Sequence, residues 1–200
     1  MDRIDAVLHY WFGHVEETSL PSEHRTWVWF SGDPVVDAEI KEQFQEDFDK
    51  VVSGEHADWE NTPRGNLALI IFLDQFSRRI HRDTMKAYAQ DAKALDLCLR
   101  GIETQHDHML SLMERAFFYF PLMHSESAEM QSLSLRAYEM LLSLSFPEVR
   151  PAFEKFLDHA IRHHEIISRF GRFPYRNKIL GRVSTPAEEE FLKNAGTLFE

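Results

Sequence analysis

Residues 159–182 hold the densest group of side chains that can do chemistry, with three histidines and five arginines in HAIRHHEIISRFGRFPYRNKILGR. Histidine exchanges protons near neutral pH, and arginine binds carboxylate or phosphate through two parallel hydrogen bonds. A basic turn with aromatic spacers is therefore typical of an anion site. The structural alternative is that these arginines bind the carbonyl groups at helix ends.

A helix that ends at Gly171 must position the three histidines, because glycine readily takes the left-handed conformation that follows a last helical turn. Helical spacing from Phe153 places His159, His163 and His164 on the apolar half of this helix. Buried imidazole rings need polar partners at both nitrogens. We therefore expect polar residues from another segment to contact this helix face.

The second candidate is His124-Ser125-Glu126, which follows the helical pattern ERAFFYFPLM. Pro121 cannot donate a backbone hydrogen bond, so the helix should bend or end there and leave His124 and Glu126 in a constrained turn. A histidine and a carboxylate this close can do acid–base chemistry, with Glu126 orienting His124 or His163. We expect His124, Glu126, His163 and Arg172 to approach one another.

Asp74 lies in NLALIIFLDQF, which is apolar on all sides and therefore predicts a buried helix. A carboxylate in such a helix needs a cationic partner, and Arg78, Arg115 and Arg169 are the candidates. The functional interpretation is that Asp74 orients a ligand or acts as a base. The structural interpretation, which we favour, is a buried ion pair between helices.

Helix start and stop signals recur along the whole chain. Cap-and-proline signals stand at Asp33-Pro34, Thr62-Pro63 and Thr185-Pro186, with a capping-box pattern from Ser111 to Glu114. A further helix is predicted over residues 84–100, with Gly101 ending it. There is no convincing alternating strand pattern and no glycine-rich phosphate loop. We therefore predict one all-α domain over residues 1–200 with about seven to nine helices.

The charge distribution limits the partners. The net charge is −11, and residues 1–60 carry all of it, with 15 acidic and 4 basic residues. Nucleic acid is therefore not expected to bind this surface. The chain has no apolar run as long as a membrane span and no signal-peptide pattern at its start. Cys98 is the single cysteine, which excludes an intrachain disulfide, and we expect a cytoplasmic protein.

Three motifs carry a family resemblance: IIFLDQFSRRIHR, ERAFFYFPLMHSE with Gln131 following, and HHEIISRFGRFPYRNKILGRVSTPAEEEFL. Together with YWFG and SEHRTWVWFSGD they resemble the bacterial family catalogued as domain of unknown function 924. The resemblance implies an all-α fold similar to tetratricopeptide-repeat superhelices, and it brings no established reaction. Its signature positions are Asp74, Gln75, Arg78, Glu114, Arg115, His124, Ser125, Glu126, Gln131, His163, Phe170, Gly171, Arg172, Pro174, Arg176, Asn177, Gly181 and Arg182.

The sequence departs from the family pattern at three positions that lie within these motifs. Ser77 and Arg79 stand where the family's usual DQFPRN has proline and asparagine. Tyr175 stands where histidine is common, which weakens any catalytic role for that position.

The first functional hypothesis is a small-molecule site, with hydrolysis as the first reaction class to test. The candidate catalytic residues are His124, Glu126 and His163, and the candidate ligand-binding residues are Asp74, Arg78, Arg115, Arg172, Arg176 and Asn177. The excess of arginine over acid among them favours an anionic ligand that carries a carboxylate or a phosphate. No cofactor is predicted.

Three alternatives remain open at this point. Zinc would need three protein ligands, such as His159, His163 and either His124 or Glu126, but HxxxH without the metalloprotease glutamate is a poor signal, so no metal is predicted. A non-enzymatic module could bind a peptide or a partner helix in a superhelical groove. The motifs could also be buried ion pairs and caps only. The sequence does not predict an oligomeric state.

Overall fold

The computed structural model describes residues 2–15 and 25–195. In these residues we count nine α-helices and no β-strand, which confirms the predicted all-α class and helix number. The helices are α1 (Arg3–Phe12), α2 (Thr26–Phe30), α3 (Pro34–Ser53), α4 (63–80), α5 (Asp91–Glu103), α6 (112–124), α7 (Ala128–Leu144), α8 (Arg150–Phe170) and α9 (Pro186–Ala195). Short 3₁₀ segments cover Ala57–Asn61, Met85–Tyr88, Asp107–Met109 and Pro174–Arg176.

Local sequence signals begin and end several helices where they are predicted. The Asp33 side chain accepts a hydrogen bond from Val35 N at 2.8 Å, and Pro34 occupies the first helical position of α3. Ser111 and Glu114 form the capping box that starts α6. Gly171 ends α8 with φ of 69°, in the left-handed region that glycine adopts without a steric cost.

The central helix α4 changes its winding where it carries the signature aspartate. It is α-helical over Pro63–Ile70, π-helical over Ile71–Phe76 and α-helical again over Ser77–Ile80. Almost all of its side chains are buried, and it packs against α1, α3, α5 and α6, so the predicted central helix is confirmed. A π-helical turn is uncommon and is often found at functional sites, because the extra residue changes the direction of the side chains beside it.

The break at Pro121 differs from the predicted one. Helix α6 runs over Leu112–Phe118, is interrupted at Tyr119, and resumes over Phe120–His124 with the buried Pro121 in its first turn. The proline therefore begins a second short helix, where its missing N–H is not needed, and His124 is the last helical residue. Gln131 of α7 fixes the following turn by donating to the carbonyl oxygens of Met123 and Ser125, at 2.6 and 2.7 Å.

The predicted helix over residues 84–100 is wrong at both ends. The chain first forms the 3₁₀ segment Met85–Tyr88, and α5 then runs from Asp91 to Glu103 without ending at Gly101. A Cβ atom at Gly101 would collide with the Phe118 ring and with the Asn66 side chain. The glycine is therefore explained by close helix packing and not by a helix end.

Candidate functional site

The centre of the candidate site is a contact between α4 and the end of α6. Asp74 Oδ1 and Oδ2 lie 2.8 and 3.0 Å from His124 Nδ1, and Gln75 Nε2 donates to Asp74 Oδ2 at 2.6 Å. Arg78 Nη1 lies 3.3 Å from Asp74 Oδ1 and also donates to the Asp74 carbonyl oxygen at 2.6 Å. Asp74 is fully buried, and its predicted contact with an arginine is confirmed for Arg78.

The electrostatics of this contact define its protonation state. Burial alone would raise the pKa of the Asp74 carboxyl, but the charge of Arg78 and the hydrogen bond from His124 hold that pKa well below its usual range. Burial lowers the pKa of His124, against the opposing effect of Asp74. The pair is therefore an ionised carboxylate and a neutral imidazole at neutral pH. Because the carboxylate can only accept, Nδ1 carries the imidazole proton and Nε2 keeps its lone pair.

A chain of alternating charges continues from Arg78. The guanidinium of Arg78 contacts both carboxylate oxygens of Asp91, at 3.0 and 3.1 Å, and Arg176 Nη1 donates to Asp91 Oδ2 at 3.0 Å. Arg176 Nη2 donates to the His124 carbonyl oxygen at 3.0 Å. The Tyr88 ring lies against both arginines, with ring-centroid distances of 5.5 Å to Arg78 Cζ and 4.6 Å to Arg176 Cζ. Two arginines and two aspartates therefore balance one another.

This charged chain borders a pocket of about 440 Å³. Its polar wall consists of Asp91, His124, Ser125, Glu126 and Arg176. Its apolar wall consists of Met85, Tyr88, Ala89, Ala92, Leu95, Pro121 and Leu180. A cavity of this size lies within the range of ~300–1,000 Å³ that is usual for small-molecule sites, and such sites combine apolar walls with a few polar groups.

The hydrogen-bond partners of Glu126 are Arg182 and Phe173, and not the histidine that it is predicted to orient. The Glu126 carboxylate accepts two hydrogen bonds from Arg182, at 2.7 and 2.9 Å, and a third from Phe173 N at 2.7 Å. Burial raises the pKa of Glu126, but the bonds from Arg182 and Phe173 outweigh it and lower the pKa overall. Asp74, and not Glu126, is therefore the carboxylate that orients His124. Asp74 reaches His124 Nδ1 because α4 packs against the end of α6, a contact between segments that are distant in the sequence.

Arg172 and Asn177 fasten the turn between α8 and α9, away from the lining of the pocket. Arg172 forms a two-bond pair with Glu188 of α9, at 2.6 and 2.8 Å. Asn177 donates to Ser184 Oγ at 3.0 Å and accepts from Arg182 Nε at 2.9 Å. Arg172 thus pairs with Glu188 of α9, and it is not among the residues that line the pocket with His124.

The three histidines of α8 have different surroundings. The His163 ring lies 6.1 Å from the His124 ring, between centroids, so the predicted approach of these two residues is confirmed. Its Nδ1 lies 2.8 Å from the His159 carbonyl oxygen, and burial lowers the pKa of His163 to about 3. His159 is exposed and stacks on Phe30, and His164 is half-buried, so the expected burial of all three is wrong.

Arg115 lies in a separate buried cluster. Its Nη2 donates to the Tyr119 hydroxyl at 3.2 Å, and that hydroxyl in turn donates to Asp107. Burial and the bond to Asp107 raise the pKa of Tyr119 far above its usual value. Arg115 therefore ties the 3₁₀ segment Asp107–Met109 to α6, and the predicted place for Arg115 in the ligand pocket is wrong.

The model of a family described as "Bacterial protein of unknown function (DUF924)" matches residues 7–196. The chain belongs to the DUF924 family. A solved structure of a protein of unknown function from Agrobacterium tumefaciens is 34% identical to this DUF924 chain and has a TM-score of 0.72; the match covers 82% of this chain and 88% of that one. Comparison with curated proteins gives no match.

Two departures from the DUF924 pattern now have structural explanations. Ser77 is fully buried, and its Oγ lies 3.2 Å from the carbonyl oxygens of both Lys86 and Ala87. Arg79 donates to the carbonyl oxygens of Val28 and Trp29, at 2.9 and 2.7 Å. Ser77 thus holds the segment that supplies Met85 and Tyr88 to the pocket, whereas Arg79 holds α2.

Tyr88 and Asp91, which contact both Arg78 and Arg176, were not among the predicted site residues. Asp91 and Tyr88 lack a sequence signal of their own, since an acid in a first helical turn and an aromatic residue beside it are common in any helix. Their proximity to Arg78 and Arg176 was the missing information.

Over residues 2–15 and 25–195, no group of three or more His, Cys, Asp or Glu residues is arranged to hold a metal ion. Within the same residues, no helix combines the length and the apolar character needed to cross a membrane.

Proposed function

We propose that the pocket binds a small molecule and that His124 acts on it as a general base, with hydrolysis as the reaction class. The observation that carries this proposal is the pairing of the buried Asp74 carboxylate with His124 Nδ1 at the edge of a cavity of about 440 Å³. The pairing leaves Nε2, with its lone pair, as the nitrogen available to a bound molecule or to water. A carboxylate that orients a histidine in this way supports acid–base catalysis.

The proposed step is attack of water on an acyl group. His124 Nε2 takes a proton from water while the water oxygen bonds to the carbonyl carbon. The bond from that carbon to the leaving oxygen or nitrogen then breaks, and the leaving group takes the proton back from His124. Asp74 stabilises the imidazolium that exists between the two transfers, since its carboxylate lies 2.8 Å from Nδ1. A positioned base of this kind contributes about 10²–10⁴-fold to a rate.

The charge of the ligand follows from the ion pairs around it. An anionic group would have to compete with Asp91 for Arg176, because that aspartate already lies 3.0 Å from the guanidinium. The arginine excess that favours an anion in the sequence is thus offset by Asp91 in the structure. We therefore favour an uncharged acyl group over a carboxylate or a phosphate, and the anionic ligand becomes one of the outcomes to be tested.

A non-enzymatic peptide-binding or protein-binding module with a tetratricopeptide-like groove is the second prediction from the sequence. A cavity of about 440 Å³ favours a small molecule, because a bound helix or extended peptide needs a groove that continues over several residues. The module hypothesis also gives no role to the orientation of His124 by Asp74.

The test compares p-nitrophenyl acetate, p-nitrophenyl butyrate and p-nitrophenyl phosphate as substrates. We expect the protein to hydrolyse a carboxylic ester faster than buffer does, and His124→Gln to lower kcat/KM about 100-fold or more. The exposed His108→Gln is the matched control and should leave kcat/KM unchanged. Urea denaturation of both variants separates a catalytic loss from unfolding.

Three results would overturn parts of this proposal. Hydrolysis of none of the three compounds would contradict the hydrolase assignment. Faster cleavage of p-nitrophenyl phosphate than of the esters would restore the anionic ligand. Loss of activity in Ser125→Ala, with a burst of p-nitrophenolate in the parent protein, would make Ser125 a nucleophile and exclude direct attack by water.

A further inference from the structure

The apolar wall of the pocket has no role in the proposed proton transfer, but its residues indicate what kind of ligand the pocket binds. Met85 and Ala89 of this wall precede α5, and Ala92 and Leu95 belong to α5. Met85 is 62% exposed although it is a large apolar side chain. A ligand that covered this wall would remove apolar surface from water, which is favourable by about fourfold in affinity for each buried CH₂ group.

The spacing along α5 relates the apolar wall to the polar one. Asp91 and Leu95 are four residues apart, so they lie on one face of α5 and about 6 Å apart along its axis. Asp91 belongs to the charged chain that continues through Arg176, and Arg176 in turn donates to the His124 carbonyl oxygen. A ligand whose reacting group lies at His124 would therefore direct its apolar part toward Leu95.

The balance of charges at the polar end of the pocket limits the charge that the reacting group of the ligand can carry. Asp74 and Asp91 are matched by Arg78 and Arg176, and Glu126 is matched by Arg182. A charged ligand would have to break one of these pairs, whereas an uncharged carbonyl group would leave them intact. The polar end thus favours an ester or an amide over a free acid.

From these features we infer that the pocket takes a short-chain acyl ester or amide, whose chain of about four carbons lies along α5 against Leu95 and Leu180. This inference rests on the proposed hydrolysis at His124 and adds the substrate class to it. Leu95 is then the residue that determines chain length, because it lies on α5 one helical turn beyond Asp91 of the charged chain.

The experiment measures kcat/KM for p-nitrophenyl acetate, butyrate, hexanoate and octanoate. We expect kcat/KM to rise about fourfold for each CH₂ group up to butyrate and then to level off or fall. Leu95→Ala should move the optimum to longer chains, and Leu95→Phe should move it to acetate. Leu99→Ala is the matched control, since Leu99 lies on the same helix, is half-buried and does not line the pocket.

A binding measurement separates the substrate class from the reaction. Acetanilide, butyranilide and hexananilide are added to the protein while ¹H–¹⁵N spectra are recorded. If butyranilide binds most tightly and no ester is cleaved, the short-chain acyl ligand class is supported and the proposed hydrolysis is rejected. Ester cleavage with the same kcat/KM for every chain length, or an optimum that Leu95→Ala and Leu95→Phe leave in place, would retain the hydrolysis and overturn the class. Tighter binding of sodium butyrate than of butyranilide would also overturn it.

Discussion

Asp74 and His124 are 50 residues apart in the chain, and the Asp74 carboxylate accepts a hydrogen bond from His124 Nδ1 at 2.8 Å. This bond joins the π-helical turn of the central helix to the last residue of α6. Because Asp74 is fully buried, the bond also fixes which imidazole nitrogen holds the proton. One contact therefore links the stability of the fold to the chemistry proposed for the pocket.

The first prediction concerns the stability that Asp74 contributes. Asp74→Asn leaves Arg78 and His124 without their buried carboxylate, so it should lower the free energy of unfolding by about 3–5 kcal/mol in urea denaturation. Asp96→Asn on α5 is the control, because the Asp96 side chain is 63% exposed, and it should change the free energy by less than about 0.5 kcal/mol. A loss below about 1 kcal/mol for Asp74→Asn would contradict the buried ion pair.

The second prediction concerns the pH dependence of stability through His163. Burial lowers the pKa of His163 to about 3 in the folded protein, against 6.5 for an unperturbed histidine. Below about pH 6.5 the unfolded chain therefore binds a proton that the folded protein does not, so stability is fully present above that pH and falls as the pH decreases toward the folded pKa. The slope should approach ~1.4 kcal/mol per pH unit.

The measurement is urea denaturation of the parent protein and of His163→Asn at several pH values between about 7.5 and about 4.5. Asparagine can still donate to the His159 carbonyl oxygen but does not titrate. We expect the slope to decrease in His163→Asn. Equal slopes for the parent and His163→Asn would show that His163 has an ordinary pKa.

The third prediction concerns the turn between α8 and α9. Arg182→Ala removes two hydrogen bonds to Glu126, one to the Phe173 carbonyl oxygen and one to Asn177 Oδ1, and should lower the free energy of unfolding by about 1–3 kcal/mol. Amide hydrogen exchange at Phe173 should accelerate, because its N–H donates to the same Glu126 carboxylate. Arg169→Ala, which removes an exposed arginine of α8, should alter neither quantity. An unchanged exchange rate in Arg182→Ala would mean that the turn is held by other contacts.

The fourth prediction tests the departure from the family pattern at Ser77. Ser77→Ala deprives the segment before α5 of the contacts to the Lys86 and Ala87 carbonyl oxygens, at an expected cost of about 1–2 kcal/mol. The control is the exposed Ser143→Ala, because the Ser143 Oγ also donates to a backbone carbonyl oxygen. If both variants lose the same small amount, Ser77 does not hold the pocket wall.

The fifth prediction is the pH profile of the proposed reaction. Burial lowers the pKa of His124, so the neutral imidazole should persist below the pH at which an ordinary histidine is protonated. We therefore expect kcat/KM for p-nitrophenyl butyrate to rise with pH and to level off below about pH 6.5. A profile that rises only above neutral pH would assign the base to a group other than His124.

Local signals in the sequence were sufficient to predict several helix boundaries. Asp33-Pro34, Ser111 with Glu114, and Gly171 each act within a few residues of themselves, so their effect can be predicted without the fold. The apolar surroundings of Asp74 likewise indicate its burial and its need for an arginine. The pairing with Arg78, one helical turn away, follows from the same local geometry.

The partners that depend on tertiary packing could not be predicted in the same way. Asp74 and Glu126 were both available to orient His124, and only the position of α4 against α6 selects Asp74. In the sequence, Asp91 resembles any acid in a first helical turn. Its partner Arg176 is 85 residues away in the chain, so the pairing becomes visible only in the fold. Gly101 resembles a helix end, but the Phe118 ring and Asn66 side chain explain it. Each of these outcomes is decided by contacts between distant segments, which helical periodicity does not encode.

The protonation state of His124 is the most direct test of the proposed base. Long-range ¹H–¹⁵N spectra at neutral pH report which nitrogen of each imidazole ring holds a proton, and His124→Gln assigns the signals. We expect Nδ1 to be protonated and Nε2 to be unprotonated, with addition of butyranilide shifting the Nε2 resonance. A His124 ring protonated at both nitrogens, or at Nε2 alone, would contradict the proposal that His124 accepts a proton in the pocket.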